Sequence, residues 1–164
     1  MMNKEIQPAL GIMTDDNSKY IFEHGDRKQI SVNRKLSNGN TYREIVVVTR
    51  IRAVREINIP EKKIKIPKRT LGGYIECYQN LSQAGNCWID NSSIVTGNVK
   101  ICGSSQVSKS VLTGKGRLSN SSFTSVMMLD PDILLQDNSH YYTEDEKVMA
   151  CIDGRTILIS DRKK

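Results

Sequence analysis

Long apolar runs, aromatic side chains and histidines are all scarce in this sequence of 164 residues. No stretch approaches the ~18 consecutive apolar residues of a membrane-spanning helix, so a protein that crosses the bilayer with helices is excluded. The amino terminus lacks the apolar core and cleavage pattern of a secretory signal, which predicts a cytoplasmic location. The apolar fraction of 38% suits one globular domain with a buried core.

Cysteine is present but forms no recognisable pattern. The four positions are Cys77, Cys87, Cys102 and Cys151. No C-x-x-C pair occurs among them, and their spacings fit no common zinc template. Thiols stay reduced in the cytoplasm. We therefore expect free thiols that act mainly as small packing residues, with no metal and no cofactor.

Charges of both signs are plentiful but unevenly distributed. Residues 50–69 contain eight Lys or Arg against two Glu, whereas residues 125–164 contain eight Asp or Glu against five Lys or Arg. The basic residues of 50–69 are Arg50, Arg52, Arg55, Lys62, Lys63, Lys65, Lys68 and Arg69. These residues are a candidate patch for binding an acidic protein surface or nucleic acid. The alternative, which we favour, is that they are solvated side chains that protect a strand edge. Base-stacking aromatics are missing from this segment, which disfavours nucleic acid.

The first 70 residues predict strands after a polar arm at 1–18. Asn38-Gly39 ahead of a β-branched run is typical of a hairpin, and Gly25-Asp26 suggests a second turn. The alternation in the following strand predicts one buried face, formed by Ile45, Val47, Thr49, Ile51 and Ala53. Residues 19–70 are therefore expected to be a β-rich N-terminal cap, in which the strand-like segment 61–66, bracketed by Pro60 and Pro67, lies at an edge.

Residues 89–124 contain an internal repeat with an apolar residue about every six positions. These residues are Ile89, Val95, Ile101, Val107, Leu112 and Leu118. Small or β-branched residues follow four positions after each, and Gly, Asn and Ser lie between them. Such a hexad is a short strand plus a tight corner, and three hexads close one coil, which predicts a parallel β-helix of about two coils. Stacking should place Ile89 near Val107, Val95 near Leu112 and Ile101 near Leu118.

The last segment, residues 125–164, is expected to cap the open end of this short stack. The apolar stretch 126–135 continues the coil irregularly in this interpretation. Thr143–Glu146 has the form of a capping box and predicts a short helix. Asp153-Gly154 predicts the turn of a capping hairpin.

Between the cap and the repeat, residues 71–88 carry a string of motifs. "LGGYIE" and "NLSQAGNCWI", preceded by "RIRAV", resemble the YdcK-like hexapeptide-repeat family of bacterial and phage proteins, over residues 45 to 123. The matching positions are Leu71, Gly72, Gly73, Ile75, Glu76, Asn80, Leu81, Ser82, Gly85, Asn86 and Trp88, and Tyr74 replaces the usual Trp. The resemblance implies an all-β fold, a short left-handed parallel β-helix behind an N-terminal cap. In it, residues 71–88 form the junction, with the glycines turning the chain sharply and Trp88 covering the apolar stack.

The residues favour binding over catalysis. Hexapeptide acyltransferases generally use a histidine on a coil as general base, whereas His24 and His140 both lie outside the repeat and are expected at the surface. No phosphate loop or nucleophile elbow occurs. The leading hypothesis is a non-catalytic scaffold that binds a protein partner or another copy of itself; the family suggests a phage or mobile-element accessory protein. An acyl-CoA-dependent transferase and a nucleic-acid-binding protein are the alternatives.

Overall fold

The structure is a computed structural model that describes residues 18–60, 63–113, 115–124, 126, 139–152 and 154–161. In these ranges the chain is almost entirely β, as the sequence predicts. The strands are β1 (Tyr20–Lys35), β2 (Thr41–Ala53), β3 (Ile57–Ile59), β4 (Ile64–Ile66), β5 (Leu71–Ile75), β6 (Trp88–Ile89), β7 (Ile94–Val95), β8 (Asn98–Cys102), β9 (Gln106–Ser108), β10 (Val111–Leu112), β11 (Lys115–Ser119), β12 (Ser122–Thr124), β13 (Ser139–Glu144), β14 (Lys147–Ile152) and β15 (Arg155–Asp161). A one-turn 3-10 helix covers Tyr78–Asn80.

The centre of the molecule is a β-solenoid of about three turns. Strands β5, β7 and β10 stack in parallel on one side, and β6, β9 and β12 stack on another. On the third side β8 pairs in parallel with β11. Leu81 of the first turn forms a parallel bridge to Ile101 of β8. The first turn is therefore built by the segment 71–88, which the sequence predicted to be only a junction. This difference turns the expected two coils into three.

The predicted stacking of the solenoid interior is confirmed residue by residue. The strand registers pair Ile89 with Val107, Val95 with Leu112 and Ile101 with Leu118, and all six side chains are buried. Phe123 lies on Val107 in the next turn, and the Tyr141 ring stacks on Phe123 at 4.5 Å between centroids. Tyr141 thus continues the apolar column into the C-terminal segment and closes that end of the core.

Hydroxyl groups explain the small residues at the corners of the coils. The Ser93 hydroxyl accepts a hydrogen bond from the backbone N–H of Ser110 in the next turn, at 3.1 Å. At another corner, the N–H of Ser121 donates to the Ser105 hydroxyl, and the N–H of Ser139 donates to the Ser121 hydroxyl. All five serines are buried. The corners therefore need small side chains that also satisfy buried backbone donors.

The N-terminal cap is a long antiparallel ribbon of β1 and β2. The Asn38-Gly39 hairpin is confirmed, since Lys35 pairs with Thr41 and Gly39 has a φ of 92°. The predicted turn at Gly25-Asp26 is wrong. Residues 24–26 form a bulge inside β1, since Glu23 pairs with Arg50 and Arg27 pairs with the adjacent Thr49. A bulge leaves extra residues of one strand unpaired without ending the strand.

The prediction of a single buried face on β2 is half wrong. Ile51 and Ala53 are buried in the main core, but Ile45 and Val47 are 61% and 46% exposed. In that half of the ribbon the opposite face is buried, where Val32, Val46 and Val48 pack with Tyr74 and Ile94 in a second cluster. The apolar outer surface of β5 and β7 supplies this partner, which the pattern of β2 alone does not contain.

The C-terminal cap is a meander of three strands. β13 continues the solenoid by pairing in parallel with β12, and β14 and β15 follow in antiparallel order. The hairpin between Ile152 and Arg155 is confirmed. The short helix at Thr143–Glu146 is wrong: Asp145 and Glu146 have φ values of 52° and 64° and connect β13 directly to β14. Positive φ at both central positions is typical of a type I′ hairpin turn.

Some predictions lie outside the described residues. These are the polar arm up to residue 17, Lys62, the apolar stretch 127–135 and the terminal 162–164. The predicted edge strand is confirmed, because β4 pairs only with β3 among the strands described. Ile57, Ile59 and Ile66 from this small hairpin are buried in the main core.

Candidate binding surfaces

Most of the residues on which the predicted family resemblance rests have structural roles in the first turn of the solenoid. A Cβ atom at Gly72 would lie 2.7 Å from Trp88 Cζ2. One at Gly73 would lie 2.6 Å from the Asp90 carbonyl oxygen and closer still to that of Ser93. Both glycines lie in β5, so the backbones of adjacent segments require them and the predicted sharp turn does not occur. Buried with Trp88 in the interior are Ile75 and Leu81.

Asn80 joins the first and second turns through its side chain. Its Oδ1 accepts hydrogen bonds from the N–H groups of Glu76 and Cys77 at 3.0 and 2.9 Å. Its Nδ2 donates to the carbonyls of Gly97 and Val99 at 3.1 and 2.9 Å. The residue is fully buried, so its amide gives partners to four backbone groups of the two turns. Of these, the Glu76 N–H also donates to the carbonyl of Val95 at 3.2 Å.

Glu76 fastens the ribbon to the solenoid. Its Oε1 accepts a hydrogen bond from the N–H of Gly97 at 2.8 Å. The same carboxylate pairs with Arg34 of β1 at 3.1 Å, and Arg34 also pairs with Glu44 of β2 at 2.8 Å. Glu76 therefore has structural partners on two sides, the ribbon and the second turn of the solenoid.

The remaining motif positions shape the corner between the 3-10 helix and β6. The Ser82 hydroxyl accepts a hydrogen bond from the N–H of Ala84, and the N–H of Asn86 donates to the carbonyl of Gly103. Gly85 has a φ of 72°, a backbone conformation that favours glycine. These contacts too are structural. Leu71, by contrast, is exposed at the start of β5.

The basic segment divides into arginines that are engaged and residues that are exposed. Arg50 pairs with Asp26 at 2.7 Å, donates to the Tyr74 hydroxyl at 2.9 Å and lies over the Tyr74 ring. The Tyr74 hydroxyl and the Arg50 guanidinium both donate to Asp26 and hold the pKa of its carboxyl below the usual value. Arg52 pairs with Glu23 at 2.5 Å. The exposed remainder comprises Lys63, Lys65, Lys68 and Arg69, with Arg55 partly exposed.

A cavity of about 250 Å³ lies at the base of the ribbon, and we call it the hairpin pocket. Its lining is Phe22, His24, Arg27, Thr49, Glu76, Cys77 and Tyr78. Tyr78 also borders a shallower cavity of about 570 Å³ on the third side of the solenoid, together with Lys100 and Arg117. The hairpin pocket is smaller than the roughly 300–1,000 Å³ of pockets that hold drug-sized ligands.

The outer surface of the ribbon leads directly out of this pocket. Cross-strand pairs share a face, so Thr49 with Arg27, Val47 with Gln29, Ile45 with Ser31, and Arg43 with Asn33 form one surface, which we call the hairpin face. Two β-branched apolar residues thus lie exposed between two arginines, Arg27 and Arg43. Sequence periodicity missed this surface because it assigned Ile45 and Val47 to the buried side.

Lys19 is a buried cation for which the sequence carried no signal. Its ammonium group donates to the carbonyl of Cys87 at 2.8 Å and lies 3.1 Å from the thiol of the same residue. Burial lowers the pKa of Lys19, and burial likewise raises the pKa of Cys87. These bonds tie the start of β1 to the first turn of the solenoid, which is a structural role.

The two histidines occupy different sides of the molecule. His24 is exposed at the hairpin pocket, and His140 is exposed on β13, where its Nδ1 lies 2.6 Å from the Ser122 hydroxyl. All four cysteines are free thiols, and Cys87 is the buried one. In the described part of the chain, no group of three or more His, Cys, Asp and Glu side chains is arranged to hold a metal ion.

Comparisons with known proteins do not assign this chain to a family. No protein-family model matches the chain, and no curated protein matches it significantly. The resemblance to the YdcK-like family, the left-handed sense of the coil and the cytoplasmic location therefore stay predictions. Within the described ranges, no helix has the length and apolar character that a membrane crossing requires.

Proposed function

We propose that this protein is a non-catalytic binding protein whose hairpin face and hairpin pocket dock a protein partner. The observation that carries the proposal is the exposure of Ile45 and Val47, at 61% and 46%, on a regular ribbon beside an apolar cavity. Isolated exposed apolar residues need no explanation, but adjacent ones that continue into a concave site are typical of interaction surfaces.

The support beneath this surface suits docking. The opposite side of the ribbon packs through Val46 and Val48 onto Tyr74, and Arg34 and Glu76 bind it to the solenoid. The ribbon is thus held in place before a partner arrives, so little conformational entropy is lost on association. A two-stranded ribbon without such support would be only marginally stable.

The chemistry of the surface indicates what the partner presents. The hairpin pocket has room for an apolar side chain rather than a large ligand, and Ile45 and Val47 would cover the residues beside it. Arg27 and Arg43 at the two ends of the hairpin face, together with the net charge of +6, favour a partner segment with acidic residues around an apolar anchor. Burying two β-branched side chains would contribute about 2–4 kcal/mol to such a complex.

Photo-crosslinking tests the proposal. A benzophenone amino acid replaces Val47 on the hairpin face or, as a matched control, Lys109 on an exposed corner of the solenoid, and cells producing each variant are irradiated. We expect a discrete protein adduct at position 47, absent at position 109 and lost when Ile45→Asp is added. Equal yields at both positions, or no adduct at position 47, would contradict the proposal.

The same purified protein distinguishes the two alternatives. Thermal stabilisation by millimolar acetyl-CoA that His24→Ala or His140→Ala abolishes would favour a transferase. Binding to DNA that falls steeply with salt and depends on Lys63, Lys65 and Lys68 would favour a nucleic-acid-binding protein. The engagement of Arg50 and Arg52 in ion pairs with Asp26 and Glu23 leaves that patch with fewer available cations.

A further inference from the structure

The outer surface of the C-terminal sheet places a second kind of chemistry in one row. The register of β12, β13 and β14 sets His140 between Ser122 on one side and Cys151 on the other. Burial alternates along β13 and β14, with Tyr141 and Ala150 inside, so this row faces outward. His140 is exposed and Cys151 is partly exposed.

The imidazole of His140 is oriented by its neighbour. Its Nδ1 forms a 2.6 Å hydrogen bond with the Ser122 hydroxyl, which leaves Nε2 as the free ring nitrogen. Histidines that bind metals are usually held in this way, with one nitrogen hydrogen-bonded to a neighbouring group and the other on the metal.

The thiol of Cys151 lies across the strand pair from this imidazole. Directly opposite residues of an antiparallel pair have Cβ atoms about 4.5–5.5 Å apart and project to the same side. A thiolate sulfur and an imidazole nitrogen are the ligands that zinc prefers in structural sites. His140 and Cys151 therefore meet the chemical requirement for two of its ligands.

Two ligands do not complete a zinc site, which is almost always four-coordinate. No further Cys, His, Asp or Glu in the described part of the chain joins this pair to form a larger group, so a site built on the described residues takes its missing ligands from a second molecule. A second copy of the chain related by a twofold axis would bring the same two residues.

The surface around the pair suits a second copy. The adjacent row of the sheet contains Tyr142, Met149 and Leu158, paired in that order across β13, β14 and β15, and Leu158 is 53% exposed. Glu144 and Lys147 end the same face with opposite charges. An apolar strip next to both an acid and a base is self-complementary, as an interface between identical copies requires.

We propose that His140 and Cys151 form half of a Cys2His2 zinc site that a second copy of this chain completes. On binding, the Cys151 thiol gives up its proton to solvent and its sulfur bonds to the metal, and His140 bonds through Nε2 without loss of a proton. The site requires neither the hairpin face nor a partner protein, so it stands independently of the function proposed above.

Metal titration of the full-length protein, freed of metal by a chelator, tests this site. Zinc should convert the monomer to a dimer in light scattering, with one ion bound per two chains. Cobalt in place of zinc should give the absorption of a tetrahedral ion and a thiolate-to-metal charge-transfer band. His140→Ala and Cys151→Ser should each abolish dimerisation, and Cys102→Ser should leave it unchanged.

Ser122→Ala tests the orientation of the His140 ring separately from its binding to the metal. Because Ser122 positions the ring without touching the metal, we expect its loss to weaken zinc affinity by about 10-fold while the charge-transfer band persists. Circular dichroism establishes that each variant remains folded. A protein that stays monomeric with zinc, binds one ion per chain, or dimerises equally well after Cys151→Ser would overturn the proposal.

Discussion

Asn80→Ala tests whether the motif residues of the segment 71–88 are structural. The substitution removes two donated and two accepted hydrogen bonds, all between 2.9 and 3.1 Å, from a side chain that is fully buried. The N–H groups of Glu76 and Cys77 and the carbonyls of Gly97 and Val99 would each lose that partner, although the Glu76 N–H keeps its bond to the Val95 carbonyl at 3.2 Å. A backbone group left buried without a partner costs about 1–3 kcal/mol.

Water can reach some of these four backbone groups after the substitution. Of the four bonds, only the one to the Val99 carbonyl is fully buried, and the other three are partly accessible, so water can replace some of them. We therefore expect a loss of about 3 kcal/mol in the free energy of unfolding. In a chain of this size that corresponds to a fall of about 6–12 °C in the melting temperature.

Urea denaturation followed by circular dichroism measures this loss, with Asn91→Ala as the matched control. Asn91 is an exposed asparagine in the same solenoid, and its replacement should change the unfolding free energy by less than about 0.5 kcal/mol. If Asn80→Ala were as mild as the control, the carboxamide would not link the first two turns. Its presence in the motif would then need a functional explanation.

Two further perturbations probe the same turn. Gly73→Ala should lower the free energy of unfolding by about 3 kcal/mol in urea denaturation, because its Cβ would collide with backbone carbonyls. Gly25→Ala, where the added Cβ has nothing within 4 Å, should be nearly neutral. Equal effects of the two substitutions would refute the close approach at Gly73. Asp90 is partly buried, which raises its pKa, but hydrogen bonds from Ser93, Ser108 and Ser92 outweigh burial and hold that pKa below 3.8. As the pH is lowered below about 4, Asp90 therefore takes up a proton more readily in the unfolded chain than in the folded one. The free energy of unfolding then decreases as the pH decreases. Asp90→Asn should flatten this acid limb of the stability curve, and an unchanged limb would show that Asp90 contributes little.

The six-residue spacing was sufficient to predict the stacked interior. It identified the partners of Ile89, Val95 and Ile101 because each hexad repeats one geometric unit, and like positions then stack. It missed the first turn because the spacing breaks there. Ile75 and Leu81 are six positions apart, but eight separate Leu81 from Ile89, and the longer corner disguises the coil.

The candidate surfaces depend on contacts between distant segments, which local patterns do not contain. Ile45 and Val47 are exposed because Tyr74 and Ile94 cover the other face of the ribbon. His140 and Cys151 become neighbours through strand register. Gly25-Asp26 has a sequence typical of a turn, but β1 pairs with β2 on both sides of it, so the chain forms a bulge there and the strand continues.

The dissociation constant between this chain and the protein cross-linked at position 47 tests the central claim most directly. Ile45→Asp places a charge in the centre of the hairpin face and should weaken binding by at least about 10-fold, since central anchors typically contribute more than 1 kcal/mol. The matched substitution Lys109→Asp on the solenoid corner should leave the constant within about twofold, well under that 1 kcal/mol. Affinity that withstands Ile45→Asp, or falls equally with Lys109→Asp, would contradict a partner site on the hairpin face.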